Sequence, residues 1–117
     1  MKPFLLATSG IFEVIKKEKH MKIHLGVLGM VTIAGLILKI SRVEWLIIIL
    51  ISSAVLAAEI FNAAIEQTCN YIDEQHKLKF GETKLARDMA AGAVWLLAIA
   101  SMIIGALIFL PYLLASF

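Results

Sequence analysis

Apolar stretches and short polar ones alternate along the chain, and the pattern predicts four helical segments. Residues 3–19 place Phe4, Leu5, Ile11, Phe12 and Ile15 on one helical face, with Ser9, Glu13, Lys16 and Lys17 on the other. An apolar face bordered by lysines beside a membrane span predicts a helix lying in the bilayer interface. A short soluble helix packed on a bundle fits the same pattern. Residues 23–40 form an 18-residue span candidate, with His24 at its edge and Lys39 near its end. That length sits near the lower limit of about 17–25 residues for crossing. Lys39, Ser41, Arg42 and Glu44 make a tight polar turn. A second membrane helix is predicted over 45–72, opening at Trp45, whose indole suits an interfacial belt. Polar residues 73–88 follow, with Gly81 as the expected break. A third membrane helix is predicted over 84–110, and Pro111 and Tyr112 are expected at the opposite interface. Ala90, Ala91, Gly92 and Ala93 near its start allow close helix approach.

The polar exceptions inside the second span carry the chemistry. Trp45–Ala58 has 14 residues without a charge and runs directly into Glu59, Asn62 and Glu66. On a helix, Asn62 and Glu66 lie about 60° and 20° from Glu59, so the three share one face. Asn70 and Asp73 continue the stripe. Glu59 falls roughly 21 Å from Trp45 along the axis and Glu66 roughly 31 Å. Hydrocarbon is about 30 Å thick, so Glu66 reaches the far headgroups and Glu59 stays about two turns inside. A carboxylate at such depth costs several kcal/mol, roughly 2.5–3.5 on the lenient insertion scale. That cost points to an ion, proton or substrate handled there. The bland readings are a solvated span end for Glu66 and interhelical glue for Asn62.

Composition narrows the class. Of 117 residues, 61% are hydrophobic and the mean hydropathy is +0.90, well above a soluble domain of this size. The expectation is an all-α integral membrane protein, with one N-terminal amphipathic surface helix and three transmembrane helices in a single domain across 1–117. A net charge of +2 gives no case for nucleic acid. The single Cys69 excludes an intrachain disulfide and is read as packing. The apolar run in the first ten residues, about five long, is too short for a signal peptide.

Lysine and arginine set the orientation. Lys2, Lys16, Lys17, Lys19, Lys22, Lys77, Lys79, Lys84 and Arg87 fall on one side, and only Lys39 and Arg42 on the other. The positive-inside rule then puts the N-terminus and residues 73–88 in the cytoplasm and the C-terminus outside. The glutamate stripe opens toward the compartment that holds nucleotides.

Carboxylates facing a cationic cytoplasmic loop suit a magnesium–phosphate site, because Mg²⁺ is commonly bound by one or two carboxylates plus substrate phosphates. Glu66 and Glu18 lie at the right level to be ligands. Lys84 and Arg87 can neutralise phosphate oxygens, and Asp88 can hold metal or orient a cation. Topology signalling alone also accounts for Lys84 and Arg87. Glu59 lies deeper, where a lipid hydroxyl would sit, and suits a general base. His20 and His24 are spaced i, i+4, as metal ligands can be, but interfacial histidines are commoner; His76 reads as a solvated loop residue. The sequence has no G-x-x-x-x-G-K-[ST] loop. Phosphoryl transfer can do without one, since positioning, metals and charge stabilisation supply most of the catalysis.

Ala58–Gln67 (AEIFNAAIEQ), followed by Leu85–Ala98 (LARDMAAGAVWLLA), resembles the small bacterial membrane kinases of diacylglycerol and undecaprenol. Their hallmark is E-x-x-N-[ST/A]-[AS]-I-E, then a lysine–aspartate pair and a small-residue run. Glu18–Leu25 (EKHMKIHL) resembles the family's E-x-N-x-R-I-H-L, and Ile104–Leu113 (IGALIFLPYL) is similar to the Gram-positive undecaprenol kinase branch. The resemblance implies a homotrimer in the bacterial cytoplasmic membrane, with active sites between subunits at the cytoplasmic surface. It implies MgATP as phosphoryl donor and a membrane lipid alcohol as acceptor. By motif position, Glu59 is the general base, Glu18 and Glu66 are metal ligands, and Asn62 lines the site. Arg87 and Asp88 match the lysine–aspartate pair near the nucleotide phosphates, and Lys84 can share that work. Two positions depart from the pattern. Asn70 stands where the family has aspartate, and Arg87 where it has lysine. The 71–82 loop also differs in length, so no adenine contact is carried over.

Undecaprenol is the first-choice acceptor and diacylglycerol the alternative. From another class, a small multidrug or cation transporter is of similar size and uses a membrane-embedded glutamate, but favours four spans. A noncatalytic membrane subunit would use Glu59 and Asn62 as interhelical glue.

Overall fold

The computed structural model describes residues 2–76 and 81–115. They fold into four α-helices: α1 (Lys2–Lys17), α2 (Lys19–Leu38), α3 (Arg42–His76) and α4 (Lys84–Ala115). The last three are long and apolar enough to cross a membrane. At about 1.5 Å per residue, α3 and α4 are each roughly 50 Å long, well beyond the ~30 Å of hydrocarbon. Both therefore run past the 45–72 and 84–110 bounds that apolarity alone suggests.

The break between α1 and α2 falls at Glu18, whose backbone is extended (φ −95°, ψ 116°). The predicted 3–19 helix thus ends two residues early, and the first span starts at Lys19 instead of residue 23. No glycine or proline marks this break. The Glu18 side chain does not cap α2. It is left available at the hinge.

The α2–α3 turn is built from local chemistry. Lys39 takes a left-handed conformation (φ 54°) and ends α2, and the Ile40 N–H donates to the Gly35 carbonyl at 3.2 Å. Ser41 and Glu44 then form a capping box. The Ser41 N–H donates to Glu44 Oε1 at 2.9 Å, and the Glu44 N–H donates to Ser41 Oγ at 3.2 Å. This S-x-x-E exchange satisfies two donors that would otherwise lack partners at the start of α3. Gly35 makes room for the fold-back. A Cβ there would lie 2.7 Å from the Trp45 ring. Trp45 consequently packs on the cluster of Ile40, Ile48 and Ile108, as well as sitting at a helix end as an interfacial indole would.

Gly81 (φ 103°) provides the second reversal, and α4 returns antiparallel along α3. Its last turns reach the α2–α3 turn, where the Tyr112 hydroxyl donates to Glu44 Oε1. Pro111 lies inside α4, which continues to Ala115. A proline leaves the carbonyl four residues earlier unpaired, and the helix tolerates this near its end. Of the small-residue run, Ala90 is buried, while a Cβ on Gly92 would meet open space.

Much of the apolar surface stays exposed, including Leu50, Phe61, Trp95, Leu96 and Leu107. That is the surface a bilayer or further copies would cover. Four hydroxyls within the helices are satisfied locally: Thr32, Ser53 and Thr68 donate to the carbonyl four residues back, and Ser101 to the carbonyl three back. Glu59 and Asn62, by contrast, have no such local solution.

Candidate functional site

Glu59 is the buried charged residue of the fold, only 2% exposed. It lies on α3, on the face turned toward α2. Its Oε2 is 3.6 Å from Nε2 of His24, an ion pair whenever the imidazole is protonated. The helical spacing of the stripe puts Asn62 one turn further on. The Asn62 Oδ1 is buried without a hydrogen-bond partner. Leaving such an acceptor unpaired costs about 1–3 kcal/mol, so an arriving donor or cation would be stabilised there.

Beyond Asn62, α3 emerges beside α1. A cleft of about 370 Å³ opens between them, lined by Glu13, Val14, Lys17 and Glu18 on one side and Ala63, Glu66, Gln67 and Asn70 on the other. Glu18 and Glu66, which are far apart in sequence, thus line one space. Lys17 is paired with Glu13 at 3.2 Å. Among the described residues, no three His, Cys, Asp or Glu side chains gather into a metal site. The donor set is instead two carboxylates with the orphaned Asn62 oxygen nearby. This hard-oxygen set fits Mg²⁺ arriving with phosphates, which needs only one or two protein carboxylates.

The start of α4 is tied to the end of α3 by Arg87. Its Nη2 donates to Asn70 Oδ1 at 2.8 Å and to Asp73 Oδ2 at 3.2 Å, and its Nε donates to Thr83 Oγ1 at 3.1 Å. Thr83 in turn donates to Asp73 Oδ2 at 3.0 Å. Asn70 also lines the cleft, so the guanidinium stands just behind its wall. Lys84 and Asp88 pair with each other at 2.5 Å on an exposed face of α4 and do not line the cleft.

On the other side of Glu59 lies an apolar groove of about 280 Å³ between α2, α3 and α4. Val27, Leu28 and Val31 line it from α2, Ile48, Val55 and Leu56 from α3, and Met102, Ile104 and Phe109 from α4. Ser52 and Ser101 are polar points within it, and His24 stands at its Glu59 end.

The fold therefore joins Glu18 with Glu66, and links Asn70 to Arg87. It leaves Lys84 and Asp88 outside the cleft of this single chain. His24 is the residue that sequence reasoning missed as a partner of Glu59. Its signal is the histidine of the E-x-N-x-R-I-H-L-like stretch, which reads from sequence as interfacial; His20, one turn earlier, is exposed. Cys69 is buried and free, as expected of packing. Lys77 and Lys79 lie outside the described residues.

Residues 5–109 match the family model described as prokaryotic diacylglycerol kinase. The chain is 41% identical over 113 residues to the undecaprenol kinase of Bacillus subtilis (strain 168), covering 96% of this chain and 89% of that protein. It is 32% identical over 114 residues to the diacylglycerol kinase of Synechocystis sp., covering 96% of this chain and 63% of that protein. No solved structure matches the chain significantly.

Proposed function

This chain belongs to the prokaryotic diacylglycerol kinase family and is a lipid kinase, and we propose that it transfers the γ-phosphoryl of MgATP to the hydroxyl of undecaprenol. The higher identity, over nearly the full length of both chains, is to a protein named undecaprenol kinase. The mechanism rests on one observation above all: a buried carboxylate, Glu59, sits against His24 at one end of the apolar groove, on α3 between Leu56 of the groove and Ala63 of the cleft. In this reading the lipid tail lies along the groove and its hydroxyl reaches Glu59. Glu59 takes the hydroxyl proton, the alkoxide-like oxygen bonds to the γ-phosphorus, and the bond to the β–γ bridging oxygen breaks to release ADP. Glu18 and Glu66 would hold Mg²⁺ in the cleft they share, with Asn62 one helical turn before Glu66 as a polar partner. When bound, the metal neutralises charge on the phosphates. Glu59 and Glu66 are seven residues apart, about 10 Å along α3, so base and metal site occupy successive levels of one helix.

Lys84 and Asp88 come to the phosphates only if a neighbouring subunit brings its own α4 or cleft alongside, whereas Arg87 stands behind the wall of the chain's own cleft. A homotrimer with inter-subunit sites meets that need and also covers exposed apolar faces. The lysine-rich end, with α1 on the membrane surface, is placed in the cytoplasm of the bacterial cell, and the C-terminus outside.

Purified protein given labelled ATP, Mg²⁺ and either undecaprenol or diacylglycerol tests the acceptor. Undecaprenol should be phosphorylated with the higher kcat/KM. The Glu59→Gln variant should lose roughly 10²–10⁴-fold in turnover, the contribution of a positioned general base, with ATP binding kept. Turnover within a few-fold of wild type would remove Glu59 from the chemistry.

A further inference from the structure

We propose that His24 is a positioning residue for Glu59, holding its carboxylate toward the mouth of the apolar groove; this rests on the reading of Glu59 as the base. His24 and Glu59 come from different helices, and their side chains meet at 3.6 Å. The Glu59 side chain is 3% exposed, so water cannot orient it, whereas His24 is 23% exposed and lines the groove. His24 therefore touches both the base and the space assigned to the acceptor. Val55 and Leu56 line the same groove on α3. Glu59 follows them by one helical turn, so a chain lying along the groove toward this end comes to His24, with Glu59 directly behind it.

The physical need is clear. A carboxylate on a flexible two-carbon stem can rotate about its side-chain bonds, and a buried one without a polar neighbour would turn toward the nearest donor. His24 supplies that neighbour from α2 and selects one orientation. Nε2 of His24 lies 3.6 Å from Oε2, and in this reading the other oxygen, Oε1, takes the hydroxyl proton. A misplacement of about 1 Å at a reacting group can cost about 10²-fold in rate.

The test compares His24→Leu, His24→Gln, Glu59→Gln and the Leu–Gln double variant as purified, folded protein, reading kcat and ATP KM. His24→Leu should lower kcat about 10²-fold while ATP KM stays within about twofold. His24→Gln, whose amide can still donate from similar reach, should recover to within about tenfold of wild type. In the Glu59→Gln background, His24→Leu should cost nothing further, because residues acting as one unit do not lose independently. The proposal is overturned if His24→Leu stays within about threefold of wild type, if His24→Gln is as slow as His24→Leu, or if the two losses multiply. Wild-type turnover in Glu59→Gln removes the base reading and the proposal with it, and is distinct from a result in which only the His24 variants stay active. Should His24→Leu fail to fold, His24→Asn replaces it: its shorter amide should be slow where Gln is not, and equal rates for the two refute the contact.

Discussion

Replacing Arg87 with lysine should loosen the α3–α4 hairpin by about 1 kcal/mol, and adding Asn70→Asp should restore it. Arg87 donates through two nitrogens to three acceptors, at 3.1 Å to Thr83, 2.8 Å to Asn70 and 3.2 Å to Asp73. A lysine ammonium is a single point and cannot reproduce this fork. Hydrogen bonds to a charged group are worth about 1.5–3 kcal/mol when sheltered. The Arg87 and Asp73 side chains are 30% and 33% exposed, however, and solvent screening brings the net loss down to about 1 kcal/mol. The second Asp73 oxygen, Oδ1, is buried without a hydrogen-bond partner, so Asp73 depends on the arginine and Thr83 to hold its place. Asn70→Asp gives a lysine a direct ionic partner, which is the aspartate and lysine pairing of the family pattern at these two positions. Asn70 and Arg87, the two departures from that pattern, are in direct hydrogen-bond contact here. Reversible unfolding of the four proteins of the cycle, in one detergent, measures the coupling. A coupling of about 0.5 kcal/mol or more, with Asn70→Asp helping more in the Arg87→Lys background than in the wild type, is expected for residues in contact. An unchanged midpoint for Arg87→Lys, or additive effects, would refute the argument.

Gly35→Ala should destabilise the fold by about 1–3 kcal/mol, since its Cβ would meet the Trp45 ring at 2.7 Å; thermal melting reads this, and the smaller ring of Trp45→Phe should relieve it. Tyr112→Phe should lower the unfolding midpoint by removing the hydrogen bond that ties α4 to Glu44 at the α2–α3 turn. Glu18→Gln and Glu66→Gln should each raise the magnesium midpoint for turnover, with the Glu59→Gln midpoint unmoved; normal midpoints in both carboxylate variants would take them out of the ligand set.

The site was legible where one helix carries it. Glu59, Asn62 and Glu66 share a face because a helix repeats every 3.6 residues, and no partner is needed to know it. The pairings across helices were less legible. Glu18 meeting Glu66 depends on where α1 stops, and no glycine or proline announces that stop. Arg87 looked like a free cation for phosphate, yet the return of α4 along α3 hands it to Asn70 and Asp73. His24 reads from sequence as an interfacial histidine, and instead faces a carboxylate 35 positions away in the chain.

The order of polarity along the chain determined the number of membrane helices, the turn at 39–44, the break at Gly81 and the face that bears the carboxylates, because these follow from local backbone geometry and the energetic cost of burying charge. The Ser41–Glu44 capping box is local in the same sense. Only the tertiary structure decided which buried acid has a partner, which cation is already engaged, and which residues line the groove and the cleft. Those depend on the rotation and depth of one helix against another, and large interchangeable apolar side chains set these through packing rather than through any pattern readable in one dimension.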